Sequence, residues 1–449
     1  MIWILSFACI IIALYGYIKS RFLLNPITSM FGLWGILLPC SGMGFYSTNI
    51  PGEEFYLVVL IGLLGYLLGT ILGRKKIVVG INIDPKANIR DPKKYKINYT
   101  ILYILGTIAI IYYFAQLMVV FRLLLSGYDY SYIRELVVSG ENNVLNSSAL
   151  FTVLYNFIAS PVTYLLIALL PVELFFGKKK KIFIIMSLGV MFLFVLTTGG
   201  RSVILWILLY FVCVFMFYQR STNKYDFRQI RKYKRWIIAG SIILFIFLLV
   251  MTKSRKGKDV DLLQQIFVYF VAPLPHADHY FEVVKDTNVF CYGVSSFYGL
   301  LYPFFFLLRL IGVFQEYPKF ITDIHYMSFE MMETGYYIGG GLYMNAFVTA
   351  FYQPYLDGRY MGVFLVMMLF GFICNQFFVR SYYELDMKAI LIYILLLQKI
   401  LFSFVRFYFT QQAQALCFIL AFLVVTSSVR LKRHALIYKK RGRINRWFQ

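Results

Sequence analysis

The sequence predicts an all-α, polytopic transmembrane helical protein, with about eleven spans and one large extracytoplasmic loop region. Three observations carry the prediction. The chain is 60% hydrophobic, 19% aromatic and only 14% charged over 449 residues. A soluble fold of that size cannot hide so much apolar surface. The apolar residues recur in runs close to the ~20 residues that cross a bilayer. The basic residues, which give a formal net charge of +23, stand in blocks beside those runs.

The elements follow in order. Residues 2–18 are apolar with no A-x-A-like cleavage site, so they read as a retained first helix rather than a signal peptide. Further spans are expected at 27–45, 54–72, 99–121, 149–172, 182–198, 203–219, 236–252, 358–379, 389–404 and 411–429. Lys/Arg blocks occupy 74–96, 178–181, 220–235 and the tail from Arg430. All fall on one side if the helices alternate, and the positive-inside rule makes that side the cytoplasm. Anionic headgroups account for these blocks, so nucleic acid is not an expected partner. The same parity places outside 122–148, the long stretch 252–357 and the turn near Phe404–Gln411. The expected divisions are therefore 1–251 with outer loop 122–148, the large loop region 252–357, the helices of 358–429, and the basic tail 430–449. Within the long stretch, 262–272 and 295–313 are apolar enough to be interfacial, re-entrant or a helix pair. Gly339–Gly341 followed by 342–351 is another candidate dip into the bilayer. Tyrosines near helix ends read as interface anchors, with stacking on sugar rings as their second use. The cysteines form neither a spaced metal set nor a disulfide framework.

Charges in such a chain point to chemistry. Thr197-Thr198-Gly199-Gly200-Arg201-Ser202 interrupts two apolar runs at the outer face. Arg201 there either snorkels to lipid phosphate or binds a substrate phosphate. Arg255, in a basic cluster after the eighth helix, sits outside against the positive-inside trend, which favours an anionic ligand. Arg134 lies in the first outer loop beside Glu135, its local alternative partner. Arg309 interrupts the 295–313 stretch, Arg359 follows Asp357-Gly358 and can pair with Asp357, and Arg406 lies between the last two helices. Outer arginines meeting in one cavity would clamp a pyrophosphate through forked, charged hydrogen bonds. Of the histidines, His434 is in the tail and His325 in the outer stretch. His276 and His279, with Asp278 between them, have a metal-like spacing. There is no H-E-x-x-H pattern, however, and Pro275 is expected to disturb the local helix, so no metal is assigned. A proton acceptor is the functional reading for either histidine. Asp278, Glu282, Asp323, Glu330, Glu333 and Asp357 are outer acids that could serve instead. No G-x-x-x-x-G-K-[ST] and no G-x-S-x-G occurs, which weighs against an ATP-driven pump and an α/β-hydrolase-type enzyme.

These residues, in this order, resemble the oligosaccharide repeat-unit polymerases of bacterial surface polysaccharides, the O-antigen or capsular polysaccharide polymerases. The resemblance rests on Asn25-Pro26, Ile133-Arg134, Gly200-Arg201-Ser202, Arg255 and the long outer loop with Tyr292-Gly293 and Phe297-Tyr298-Gly299-Leu300. It continues through Asn345-Ala346-Phe347, Tyr355 to Gly362, and Ser403 with Arg406. Where family members tend to show an Asp-Phe-Gly-like element, this chain has Asp357-Gly358.

The resemblance implies a metal-independent inner-membrane glycosyltransferase with its active site on the periplasmic or outer face and no cofactor. It would transfer the growing chain from undecaprenyl pyrophosphate to the non-reducing end of a new lipid-linked repeat unit. Membrane lipids, a chain-length regulator and a flippase are the implied partners. Arg201 and Arg255 would hold the donor pyrophosphate, assisted by Arg134 or Arg406. His279 or His276 would accept the proton, and Arg309, Asn345, Asp357 and Arg359 would contribute to substrate binding. The rival readings are an O-antigen-ligase-like transferase, a lipid-linked oligosaccharide flippase or transporter, and a structural partner of an assembly complex. A transporter would be expected to show inverted halves, which the sequence lacks.

Overall fold

The computed structural model describes residues 1–78, 95–130, 132–133, 136, 149–200, 202–222, 262–287 and 289–427. Among these, α1 (Ile2–Ser20) and α2 (Pro26–Gly42) form the opening hairpin. Asn25 builds the turn: its side chain accepts the Thr28 N–H at 2.9 Å and donates to the Phe22 carbonyl at 2.7 Å. Pro26 takes the first helical position, where no N–H is needed. Next come α3 (Glu53–Val78), α4 (Tyr99–Leu125), α5 (Leu150–Phe176, with a π-helical stretch at Leu154–Ala159), α6 (Lys181–Thr198) and α7 (Ser202–Thr222). Shorter helices follow: α8 (Leu262–Val271), α9 (Pro273–Lys285), α10 (Tyr298–Leu310) and α11 (Lys319–His325). The chain ends its described part with α12 (Tyr352–Val379), α13 (Met387–Leu401) and α14 (Gln412–Val424).

Seven helices among the described residues are long and apolar enough to cross a membrane: α1, α3 to α7 and α12. The protein is therefore a predominantly helical, polytopic membrane protein. The expected span 236–252 lies outside the described residues. The spans expected at 27–45, 389–404 and 411–429 are helices of 17, 15 and 13 residues. At a rise of ~1.5 Å per residue they fall short of a ~30 Å hydrocarbon core. The last expected helix stops early because its C-terminal residues become a strand. Val425–Ser427 pairs antiparallel with Tyr95–Ile97, and the β-branched Val425-Thr426 pair suits an extended backbone. Gly339–Gly341 opens no helix. All three have positive φ and form the turn of a small hairpin, Tyr336–Tyr337 with Tyr343–Met344.

The chain packs as two compact units. The first comprises Met1–Asn82, Asp226–Gln376 and Leu396–Leu416; the second comprises Ile83–Tyr225, Phe377–Leu395 and Cys417–Gln449. In the first, α3 lies against α12 through glycines one turn apart. A Cβ on Gly65 or Gly69 would overlap the Phe364 or Met368 carbonyl oxygen, and one on Gly371 would overlap the Tyr66 carbonyl. Asn375 Nδ2 donates to the Thr70 carbonyl at 2.9 Å and Gln376 Nε2 to the Gly73 carbonyl at 2.7 Å. Close backbone approach plus polar side chains across the seam is how helices associate where lipid removes the hydrophobic drive. In the second unit, Arg220 lies 3.5 Å over the Tyr382 ring, and Phe217 packs edge-on against Tyr393.

Candidate active site

Two prolines open α9. Pro273 is its first residue and Pro275 its third, positions whose backbone N–H groups have no intrahelical acceptor. The expected disturbance at Pro275 is thus corrected: the helix runs unbroken through His276 and His279. Its inner face carries Leu274, Ala277, Phe281 and Val284, all fully buried. His276 is buried with them, at 0% exposure. Its Nδ1 lies 2.7 Å from the Phe347 carbonyl oxygen. A carbonyl only accepts, so Nδ1 carries the hydrogen and Nε2 is left as a bare acceptor, buried and without a partner among the described residues. Burial holds this imidazole well below its ordinary value, at about 4. His279, three residues on, is half-buried, stacks on Tyr336 with centroids 3.8 Å apart, and is also held down by burial. Its ring nitrogens take no hydrogen-bond partner among the described residues. Asp278 accepts the Gly52 N–H at 2.8 Å; burial lifts its carboxyl above the usual range, with repulsion from Glu282 and Glu54 adding to the lift.

This arrangement has a pH signature. The unfolded chain protonates His276 near 6.5 and the folded chain near 4, so the unfolded state holds more protons between those values. Stability from the neutral ring is complete above pH 6.5 and is lost as the pH falls to about 4, by about 3 kcal/mol. His279 acts in the same direction. A His276→Asn variant keeps an amide N–H toward Phe347 without titrating. Thermal unfolding across this range should be flatter in the variant; an unchanged slope would place the sensitivity in another group.

The segment 345–350 joins α9 to the α13–α14 turn. The Ala346 carbonyl accepts from Arg406 Nη2 at 2.9 Å, and the next carbonyl, Phe347, is the one that meets His276. Arg406 also lies 5.9 Å from the Phe347 ring. The Val348 and Ala350 N–H groups donate to Val405 and Ser403 carbonyls at 3.0 and 2.6 Å. Ala346 and Thr349 hold positive φ, an unusual conformation for residues with a Cβ. Asn345, exposed, opens the segment. His276 and Arg406, far apart in sequence, are therefore held by consecutive peptide groups.

Asp357 and Arg359 form a brace. The Asp357 carboxylate accepts the backbone N–H of Ser295 and of Ser296, each at 2.9 Å. Arg359 does not pair with it, contrary to the sequence alternative. The helix breaks at Gly358–Arg359, where Arg359 adopts φ 53 and ψ −136. Its Nη2 instead donates to the Val284 and Thr287 carbonyls at 2.8 and 2.6 Å, with the Phe290 and Tyr355 rings alongside. Glu54 completes this region by pairing with Lys285 and accepting from the Tyr355 and Tyr360 hydroxyls at 2.9 and 3.2 Å. Since Ser295 and Ser296 are fully buried, Asp357→Ala leaves two buried donors unpaired. It should cost about 2–5 kcal/mol, with Asp357→Asn costing less, read as a fall in Tm in detergent. Equal melting of Ala, Asn and wild type would contradict the brace.

Arg309 stands apart from both groups, exposed and 4.7 Å over the Tyr317 ring. Arg134, Arg201 and Arg255 lie outside the described residues. No group of three or more potential metal-ligating side chains occurs among the described residues.

A family model described as "O-antigen polysaccharide polymerase Wzy" matches residues 2–434, nearly the whole chain. The chain belongs to this family. No curated protein and no solved structure matches it. As a member of the O-antigen polymerase family it is a multi-pass inner-membrane protein that acts on lipid-linked repeat units, and its activity is repeat-unit polymerisation. Ligation to a core acceptor and flipping are not favoured.

The polymerase also holds a cation that the sequence reading passed over. Lys399, 3% exposed, donates to the Gln398 amide oxygen at 2.6 Å and to that of Gln414, with the Tyr408 ring 5.1 Å away. The available signal was the Gln398-Lys399 pair inside a predominantly apolar predicted span. Glu54 was missed for a plainer reason: a carboxylate at the first turn of a helix is unremarkable until its partners are known.

Proposed function

We propose that this polymerase transfers a growing glycan from undecaprenyl pyrophosphate to the non-reducing-end hydroxyl of a new lipid-linked repeat unit, on the outer face of the membrane. The observation that carries the reading is the family match across residues 2–434. The distribution of Lys/Arg blocks supports the orientation, with 252–357 outside. The anomeric carbon–phosphate oxygen bond breaks as the acceptor oxygen–carbon bond forms, inverting the centre. Charge grows on the departing pyrophosphate, and the acceptor proton passes to a base. Arg201 and Arg255 bind the pyrophosphate, with Arg134 or Arg406 assisting; their charge is worth more in the transition state than in the ground state. These guanidiniums make a metal unnecessary.

Of the two histidine candidates, His279 fits the base better than His276. It is partly exposed with unengaged nitrogens, whereas His276 is sealed and donates to Phe347. A chain-length regulator and a flippase would act beside the enzyme. The test is ladder formation by the purified protein in liposomes from lipid-pyrophosphate-linked repeat units of its own organism. His279→Gln should lower kcat by about 10²-fold and remove the acid limb of the pH–rate profile. Unchanged rates would leave the acceptor hydroxyl without a histidine base. Failure of the folded wild type to build ladders would sink the proposed reaction.

A further inference from the structure

We propose that a cavity between α10 and α11 is a glycan subsite, which binds sugar rings of a lipid-linked repeat unit away from its pyrophosphate. The inference rests on the polymerase reading above and assigns part of its substrate to a place. The cavity has a volume of about 450 Å³, within the range of small-molecule sites. One wall is aromatic. Tyr298 stacks on Tyr302 with centroids 5.3 Å apart, and Tyr302 meets Tyr317 at 5.7 Å, their hydroxyls 3.3 Å apart. The lining also carries polar groups, Asp323, Glu330 and His325, the last stacked on Tyr298 with centroids 5.5 Å apart. His325 Nε2 lies 3.5 Å from the Glu330 carboxylate, while its Nδ1 is buried without a partner among the described residues.

This lining matches one ligand chemistry. Tyrosine faces present π-surface to the C–H faces of a pyranose ring. Carboxylates accept from sugar hydroxyls, and tyrosine hydroxyls both accept and donate. The formal charge of the lining is negative, with two carboxylates against one histidine, in a chain whose net charge is +23. The two carboxylates favour a neutral or amino sugar there over an anion such as pyrophosphate. A belt of interface anchors would explain isolated tyrosines; it does not call for stacked rings beside two exposed carboxylates. Arg309, on Tyr317 at the edge of this group, is a cation outside the lining whose charge reaches Tyr302.

The test uses full-length protein in nanodiscs and two probes. One is the free oligosaccharide released by mild acid from the organism's own lipid-linked repeat unit. The other is undecaprenyl pyrophosphate without sugar. Tyr302→Ala and Glu330→Gln should weaken binding of the free oligosaccharide about tenfold or more, while Tyr302→Phe stays within about threefold. The same variants should raise KM for the repeat unit about tenfold with kcat changed less than about threefold, a split that a merely structural role would not give. Glycan-free lipid should bind wild type and variants alike. Variants that melt like wild type and bind oligosaccharide like wild type would overturn the subsite. So would an equal loss of affinity for the glycan-free lipid, which would make the cavity a headgroup site, and so would an absence of oligosaccharide binding by the wild type. Cavity-dependent oligosaccharide binding without ladders would sink the polymerase reaction and leave the subsite standing. Ladders with an unchanged KM in every variant would do the reverse.

Discussion

Arg201→Ala and Arg255→Ala should each stop ladder formation, lowering kcat by about 10²–10³-fold while the folded protein still binds repeat units. The expected size follows from where charge appears. A glycosyl phosphate bond that breaks delivers further negative charge to the pyrophosphate oxygens, and a guanidinium against them gains interaction as that happens. Lysine at either position retains charge but not the forked pair of donors, so Arg→Lys should recover part of the rate. Arg406→Ala should behave differently. Its guanidinium already donates to the Ala346 carbonyl, so its loss should reduce Tm as well as rate. Single-turnover ladder assays with binding measured in parallel separate these outcomes. Wild-type ladders from both Arg201→Ala and Arg255→Ala would remove the arginine clamp from the mechanism.

Gly69→Val should abolish accumulation of folded protein, and Gly69→Ala should already cost several degrees of Tm, on the order of 2–4 kcal/mol. A Cβ at this position meets the backbone carbonyl of Met368, which cannot rotate away as a side chain would. Either α3 retreats from α12, losing the contacts of Gly65 and Gly371 as well, or the carbonyl shifts within its own helix. Gly189 supplies the control, since it sits in α6 with open space where a Cβ would go. Gly189→Ala should be neutral or mildly stabilising, as a glycine is removed from a helix interior. Equal effects at the two glycines would mean that the seam is not closely packed. Detergent-solubilised yield and thermal unfolding of the four proteins measure this directly.

The helices were legible because bilayer-length apolar runs are a strong signal, and α1, α3 and α4 begin within a residue or so of their expected starts. The Asn25-Pro26 pair, visible as a family feature, proves to be a helix cap with a first-position proline. Gly65-x-x-x-Gly69-x-x-x-Gly73 was equally visible as spacing, but its partner helix was not, because nothing local names α12. The site was legible only as a set of residue types. Asp357 and Arg359 looked like an ion pair by proximity in sequence, yet the break between them sends the two side chains to different backbone groups. The link between His276 and Arg406 runs through carbonyls of Ala346 and Phe347, and carbonyls carry no signature in side-chain chemistry. Pro275 misled because a proline's effect depends on its distance from the helix start, and that start was not known.

The antiparallel pairing of Tyr95–Ile97 with Val425–Ser427 sets an order of events in time. One strand emerges early in synthesis and its partner only after the last helix. Until then Tyr95–Ile97 waits without this partner, with α4 through α7 already made. Closure over about three quarters of the chain is a slow, high-separation contact, so it belongs after membrane insertion rather than during it. Truncation before Val425 should therefore yield protein with inserted helices that lacks this strand pair.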